Sequence, residues 1–147
     1  MNRLTKIFRS LIGGSLETAE SAAVRHYRVL NLTQGTVLAT SLEVAGESST
    51  RTRGLLGRDS LAEGEGLWII PCEGVHTIGM RFPIDLVYIN GQKRVRKVRS
   101  GVPPWRLSFC LTARSVLELP AGTIRETQTQ RGDQLEIALA VEDGDQA

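Results

Sequence analysis

The sequence predicts a mainly β protein, a sandwich or barrel of short strands carrying one or two short helices. Apolar and β-branched runs of five to ten residues recur along the chain, separated by Gly, Pro and Asn turn signals, the pattern of an all-β domain. The 147 residues are 41% hydrophobic and 23% charged, an ordinary composition for one soluble domain with a core of its own. No unbroken apolar run approaches the 18 or more residues of a membrane-spanning helix, and neither an internal repeat nor a low-complexity tract is visible.

The elements follow in order. Residues 1–24 read as a basic amphipathic segment and linker, 25–143 as the β domain, and 144–147 as a tail. Within the first segment Leu4, Ile7, Phe8, Leu11 and Ile12 recur at helical spacing between Arg3, Lys6 and Arg9. Such a stretch over residues 3–12 can lie on an anionic membrane, although a frayed tail or a helix docked on the domain is the plainer expectation. Its longest apolar run is too short for a secretory signal, so a cytoplasmic protein with free thiols is expected.

His26–Leu32 and Thr36–Ala45 are strand-like and joined by Thr33-Gln34-Gly35, a hairpin loop with glycine where positive φ is needed. Alternation in the second strand puts Leu38, Leu42 and Val44 toward the core. Ser48 or Ser49 is placed to cap a short helix that carries Arg51, Arg53, Leu55, Leu56 and Arg58. Gly66–Ile70 is a strand halted by Pro71, and Val75–Met80 is the next. Ile84–Ile89 is the most hydrophobic run, and Asn90-Gly91 turns the chain into the basic ribbon Lys93–Arg99. The poor alternation of that ribbon marks an exposed or edge strand. A proline-interrupted loop over Gly101–Leu107 precedes the strand Ser115–Leu119. A helical turn over Ala121–Thr127, a turn at Arg131-Gly132-Asp133 and a final strand Gln134–Val141 complete the chain.

Eighteen Lys and Arg against sixteen Asp and Glu give a net charge of +2, too little to predict a nucleic-acid binder. The distribution is uneven. Between Gln92 and Leu117 there are seven basic residues and no acid, whereas seven acids follow from Glu118 onward. The basic hairpin 93–99 is thus a candidate surface for an acidic partner, whose association would weaken with salt.

Two stretches concentrate candidate chemistry. In Cys72–Asp85, Cys72, His76 and Met80 are spaced by four and offer soft ligands. A straight strand would spread them over about 13 Å, so a metal site needs a turn at Gly74, and ordinary packing is the simpler role for Cys and Met. His76 as base, Cys72 as nucleophile and Asp85 as orienting acid form a hydrolase-like or thiol-enzyme reading. In Thr50–Arg58, arginines around a short helix could present one or two guanidiniums to a cleft. With Arg81, and with Met80 and Trp68 as apolar wall, Arg51, Arg53 and Arg58 make the leading expectation a non-catalytic cleft for a small or extended anion. No cofactor is expected. Arg131-Gly132-Asp133 is read as a turn and Asn31-Leu32-Thr33 as an unused sequon.

Thr50-Arg51-Thr52-Arg53-Gly54-Leu55-Leu56-Gly57-Arg58, His76–Leu86, Val116–Gly122 and Gly132-Asp133, in this order and spacing, resemble the bacterial and archaeal family called domain of unknown function 192. The resemblance runs from about Arg25 to Val141. It implies a compact β-sandwich of jelly-roll type and a site near the first two motifs, but no activity. Where many members carry Phe-Trp-Met-Lys-Asn-Thr, this chain has Ile78-Gly79-Met80-Arg81-Phe82, so no role of that tryptophan or asparagine carries over.

Overall fold

A computed structural model describes residues 25–141. The fold is mainly β with two short helices. In chain order the elements are β1 (Tyr27–Asn31), β2 (Thr36–Ala45), α1 (Ser48–Arg53), β3 (Glu65–Ile69), β4 (Gly74–His76), β5 (Ile84–Ile89), β6 (Val95–Val102), β7 (Leu107–Phe109), β8 (Ser115–Pro120), α2 (Thr123–Thr127) and β9 (Leu135–Leu139).

Seven strands form one sheet in the order β6-β5-β8-β3-β2-β1-β9, and β4 pairs with β7 in a second, two-stranded sheet. Only β2 and β3 run parallel; the other pairs are antiparallel. The two edges of the large sheet meet at one end. Arg94 bridges Gln134, Val95 N–H donates to Asp133 O at 2.9 Å, and Leu135 N–H donates to Lys93 O at 2.9 Å. The sheet therefore curls into a half-barrel pinned at this corner. The pairing is one curled sheet with a small ribbon, rather than the two opposed sheets of a jelly-roll sandwich.

Both faces of the sheet centre are covered. Every residue of β5 is buried, as are the first five of β8, and their side chains divide by parity. Ile84, Leu86, Tyr88 and Val116 join Ala45, Leu55, Leu67, Ile69, Val75 and Met80 on the outer face, beneath the β4–β7 ribbon and the α1 segment. Val87, Ile89, Leu117 and Leu119 join Val29, Leu38, Leu42, Ile124 and Leu135 inside the curl.

The alternation expected in β2 fails for a local reason. Its register against β1 slips twice, between the pairs Tyr27↔Leu42 and Val29↔Ala39, and again before Leu30↔Val37. Each slip inserts an extra β2 residue, a β-bulge that flips side-chain parity. Gly64 O accepts both Thr40 N–H and Ser41 N–H at 2.9 Å at the first of them. Ala39 consequently joins Leu38 and Leu42 inside the curl. Beyond the bulges, Ala45 packs on the outer face, which is also covered, and Val44 is exposed.

The Arg131–Asp133 turn is internal architecture. Buried Asp133 accepts from Asn31 Nδ2 at 2.9 Å and from Gln130 N–H at 3.0 Å. Asn31 in turn caps the β1–β2 loop by accepting from Thr33 and Gln34 N–H. The sequon asparagine is therefore buried and committed. The basic ribbon is an edge strand of the large sheet, entered through a loop in which Lys93 takes φ +63° and Asn90 Oδ1 accepts from Gln92 and Arg94 N–H.

Candidate functional site

Between the large sheet, α1 and the start of β4 lies a cavity of about 380 Å³. Its walls come from the α1 end and the following turn (Arg51, Arg53, Gly54, Leu55), from Cys72 to His76, and from Met80. Glu118 closes it on the sheet side.

The helix that frames the mouth is shorter than the sequence predicts. It begins after Glu47, whose N–H donates to Thr50 Oγ1 at 3.2 Å, and ends at Arg53 because Gly54 adopts φ +49°. Gly54 lies above Glu118, where an added Cβ would stand 3.7 Å from Oε2.

Glu118 is the feature that reading the sequence for motifs missed. It is 3% exposed on a central strand, between Leu67 of β3 and Leu86 of β5, with its side chain on the outer face. Its Oε2 is buried without a hydrogen-bond partner among the described residues. Burial pushes its carboxyl up to about 7, against a smaller downward pull from Arg58. A carboxyl in this setting is an acceptor waiting for a donor, or a proton carrier near neutral pH.

The other candidates separate. Cys72 and His76 line the same cavity as Met80. The Cys72 thiol, however, donates to Gly74 O at 3.0 Å and is raised above its ordinary range, chiefly by burial, which disfavours the nucleophilic thiolate. His76 is exposed at the end of β4, and its ring makes no hydrogen bond or ion pair among the described residues. Asp85 lies on the opposite face of β5, fully buried, and accepts from Gly101 N–H at 2.7 Å and Ile124 N–H at 2.8 Å. It pins the β6 end and α2 to the sheet and cannot orient His76. No group of three His, Cys, Asp or Glu side chains among the described residues could hold a metal ion; β4 ends at His76, so no continuous strand links Cys72 to Met80.

The arginines do not converge. Arg51 donates to Gly46 O and, with exposed Arg53, stands at the cavity mouth. Arg58 pairs with Glu43 at 3.0 Å, and Arg81 pairs with Asp59 outside the cavity. Trp68 is not a wall of this cavity. Strand parity sends it to the other face, where Nε1 donates to Ser115 Oγ at 2.9 Å, the ring meets Tyr27 edge-on, and Lys93 Nζ sits 5.3 Å from its centroid. The expected four-arginine anion cleft is thus reduced to two guanidiniums at the rim and an acid at the base.

Fold and cavity together define, over the described residues, a curled β half-barrel with a small-molecule-sized cavity. The chain belongs to the DUF192 family, described as "Uncharacterized ACR", whose model matches residues 29–137. Two crystal structures are similar to it. One, provisionally named a transcription regulator, is from Sinorhizobium meliloti 1021. It shares 24% identity and a TM-score of 0.68 over 78% of this chain and 93% of that one. The other is a protein of unknown function from Novosphingobium aromaticivorans DSM 12444, with 21% identity and a TM-score of 0.67 over 80% of this chain and 96% of that one. At these identities the likeness shows the fold alone. Comparison with curated proteins finds no match.

Proposed function

We propose that the protein is a binding domain for a small ligand whose amine or amide donor enters the cavity and reaches Glu118. Arg51 and Arg53 at the mouth would hold a polar or anionic remainder. The observation that carries this reading is the buried Glu118 Oε2, without a hydrogen-bond partner among the described residues, facing a cavity large enough for a compact molecule. A buried acceptor left unmade costs about 1–3 kcal/mol, and a donor from a ligand recovers it. This reverses the sign of the expected ligand head: the cavity base calls for a donor or cation, and only the rim suits an anion.

Titration by thermal shift or calorimetry tests it, using a primary alkylamine, the matched alcohol, the matched carboxylate and an ω-amino acid bearing both end groups. The amine and the ω-amino acid stabilise the wild-type protein more than the carboxylate does. Glu118→Gln loses tenfold or more of that affinity, about 1.4 kcal/mol. Amine binding strengthens as pH rises through about 7 and Glu118 ionises. Carboxylate binding that is strongest and equal in both proteins would return the site to an arginine-only anion cleft.

A second reading rests on the same residue. A carboxyl that titrates at about 7 is matched to general acid–base work at neutral pH, and His76 and Cys72 line the same cavity. Turnover of a bound probe, with a pH profile centred near 7 and lost in Glu118→Gln, would favour an enzyme; binding without turnover favours the domain proposed above.

A further inference from the structure

The outer face of the β4–β7 ribbon carries the largest exposed apolar side chains among the described residues. In β7, Ser108 turns inward while Leu107 and Phe109 point out. Trp105, Leu107, Phe109 and Leu111 are 68%, 59%, 58% and 80% exposed, and Ile78 adds to them. An apolar group of this size on a domain surface marks a contact site.

Two of these side chains are displayed by built features. Trp105 takes φ +66°, a region that bulky residues rarely occupy without a functional reason. Buried Thr77 clamps the loop around it. Thr77 Oγ1 donates to Pro103 O at 2.7 Å and accepts Arg106 N–H at 2.9 Å. Trp105 N–H donates to Thr77 O at 3.0 Å, and Thr77 N–H donates to Arg106 O at 2.9 Å. Leu111 stands at the tip of the turn between β7 and β8. Phe109 lies across Gly74, where any Cβ would come within 2.7 Å of its ring.

The charge around this patch is mostly basic. Lys97 Nζ donates to Phe109 O at 2.7 Å, Arg96 Nε donates to Thr112 Oγ1 at 3.3 Å, and Arg106 adjoins Trp105. All belong to the acid-free stretch 92–117. Glu73, whose carbonyl accepts Cys110 N–H at 2.7 Å, borders the patch at one end.

We infer that this face docks on an anionic lipid bilayer, with Trp105, Leu107, Phe109 and Leu111 entering the interface and Arg96, Lys97 and Arg106 meeting the headgroups. Charge complementarity selects the partner's sign. The form of the patch selects a bilayer over an acidic protein, because side chains exposed to 68% and 80% on loop tips project instead of lining a groove. A fluid interface accepts such projections, and tryptophan favours the headgroup level, while clustered Lys and Arg are drawn to anionic leaflets.

The full chain is tested by co-sedimentation with vesicles of neutral phosphatidylcholine alone or with about one-third phosphatidylglycerol. Tryptophan emission is read in parallel. Binding is expected to the anionic vesicles, to weaken at least tenfold between low salt and 0.5 M salt, and to shift Trp emission to the blue. Trp105→Phe keeps binding but loses the blue shift, since Trp68 lies on the other face. Leu111→Ser with Phe109→Ser, and separately Lys97→Glu with Arg106→Glu, each weaken binding tenfold or more while retaining wild-type thermal unfolding. No binding to anionic vesicles overturns the inference. Unchanged binding by both double variants also overturns it and transfers any membrane contact to residues 3–12. Equal binding to a soluble polyglutamate, insensitive to the serine changes, overturns it in favour of an acidic protein partner for the basic ribbon.

Discussion

Replacing Glu118 by Gln separates the cost of a buried charge from the cost of a missing contact. In the folded protein the carboxyl titrates at about 7, against an ordinary value of 4.5. Each unit corresponds to about 1.4 kcal/mol, so ionising this group in the folded state opposes folding by about 3 kcal/mol. The sign follows from linkage. Between pH 4.5 and 7 the unfolded chain has released the proton and the folded chain still holds it. Stability from this group therefore falls as pH rises through that window and levels off above it. Gln keeps the volume and carries no charge, so it escapes the penalty.

The expected difference between Glu118→Gln and wild type runs from near zero at pH 4 to about 3 kcal/mol in favour of the variant at pH 8. For a domain of this size that is a rise in Tm of about 10 °C. Thermal or urea unfolding of both proteins at matched pH values reads it directly, because titration of every other group cancels in the difference. A difference independent of pH, or a wild type that gains stability from pH 5 to 7 relative to Glu118→Gln, would refute the buried, uncompensated carboxyl and with it the cavity reading.

Asp85→Ala behaves in the opposite way, losing about 3 kcal/mol or more in urea unfolding at pH 7, because two buried backbone N–H groups lose their side-chain acceptor. Tyr88→Phe is neutral or stabilising by about 1 kcal/mol in the same assay, since the buried hydroxyl has no partner within hydrogen-bond distance among the described residues, the neighbouring Ser108 hydroxyl being equally unpaired. Gly66→Ala costs about 1–3 kcal/mol by calorimetry, as an added Cβ would sit 2.8 Å from Leu119 Cδ2 and 3.1 Å from the Glu118 carbonyl. Arg81→Ala changes stability by less than about 1 kcal/mol, its exposed pair with Asp59 being screened by solvent.

Asp85 and Glu118 show where sequence stops informing. Each is a single acid inside an apolar strand, and in sequence the two carry the same signal: a buried carboxylate that needs a reason. Only the third dimension divides them. Asp85 faces into the curl, where Gly101 and the first turn of α2 present amides to it. Glu118 faces the cavity, where Gly54 leaves it room and none of the described residues donates to Oε2. Proximity in sequence to His76 drew Asp85 into a catalytic reading, whereas Glu118, forty-two residues from His76, shares a cavity with it.

Local signals fared better than relational ones for the same reason. Strand content, the hairpin at Thr33–Gly35, the turn of Arg131–Asp133 and the edge character of the 93–99 ribbon are all encoded within a few residues, and the structure has each of them. The bulges of β2 depend on Gly64 O arriving from elsewhere, and β7 exists because Gly74–His76 lies beside it, so neither is written in its own segment. Trp68 is the sharpest case. Its neighbours Leu67 and Ile69 face the cavity side, and a strand's period of two sends the residue between them to the opposite face. That geometry was available from parity alone once Ile69 was placed against the cavity, and it is the reason an aromatic adjacent to a site in sequence lies one sheet thickness away from it in space.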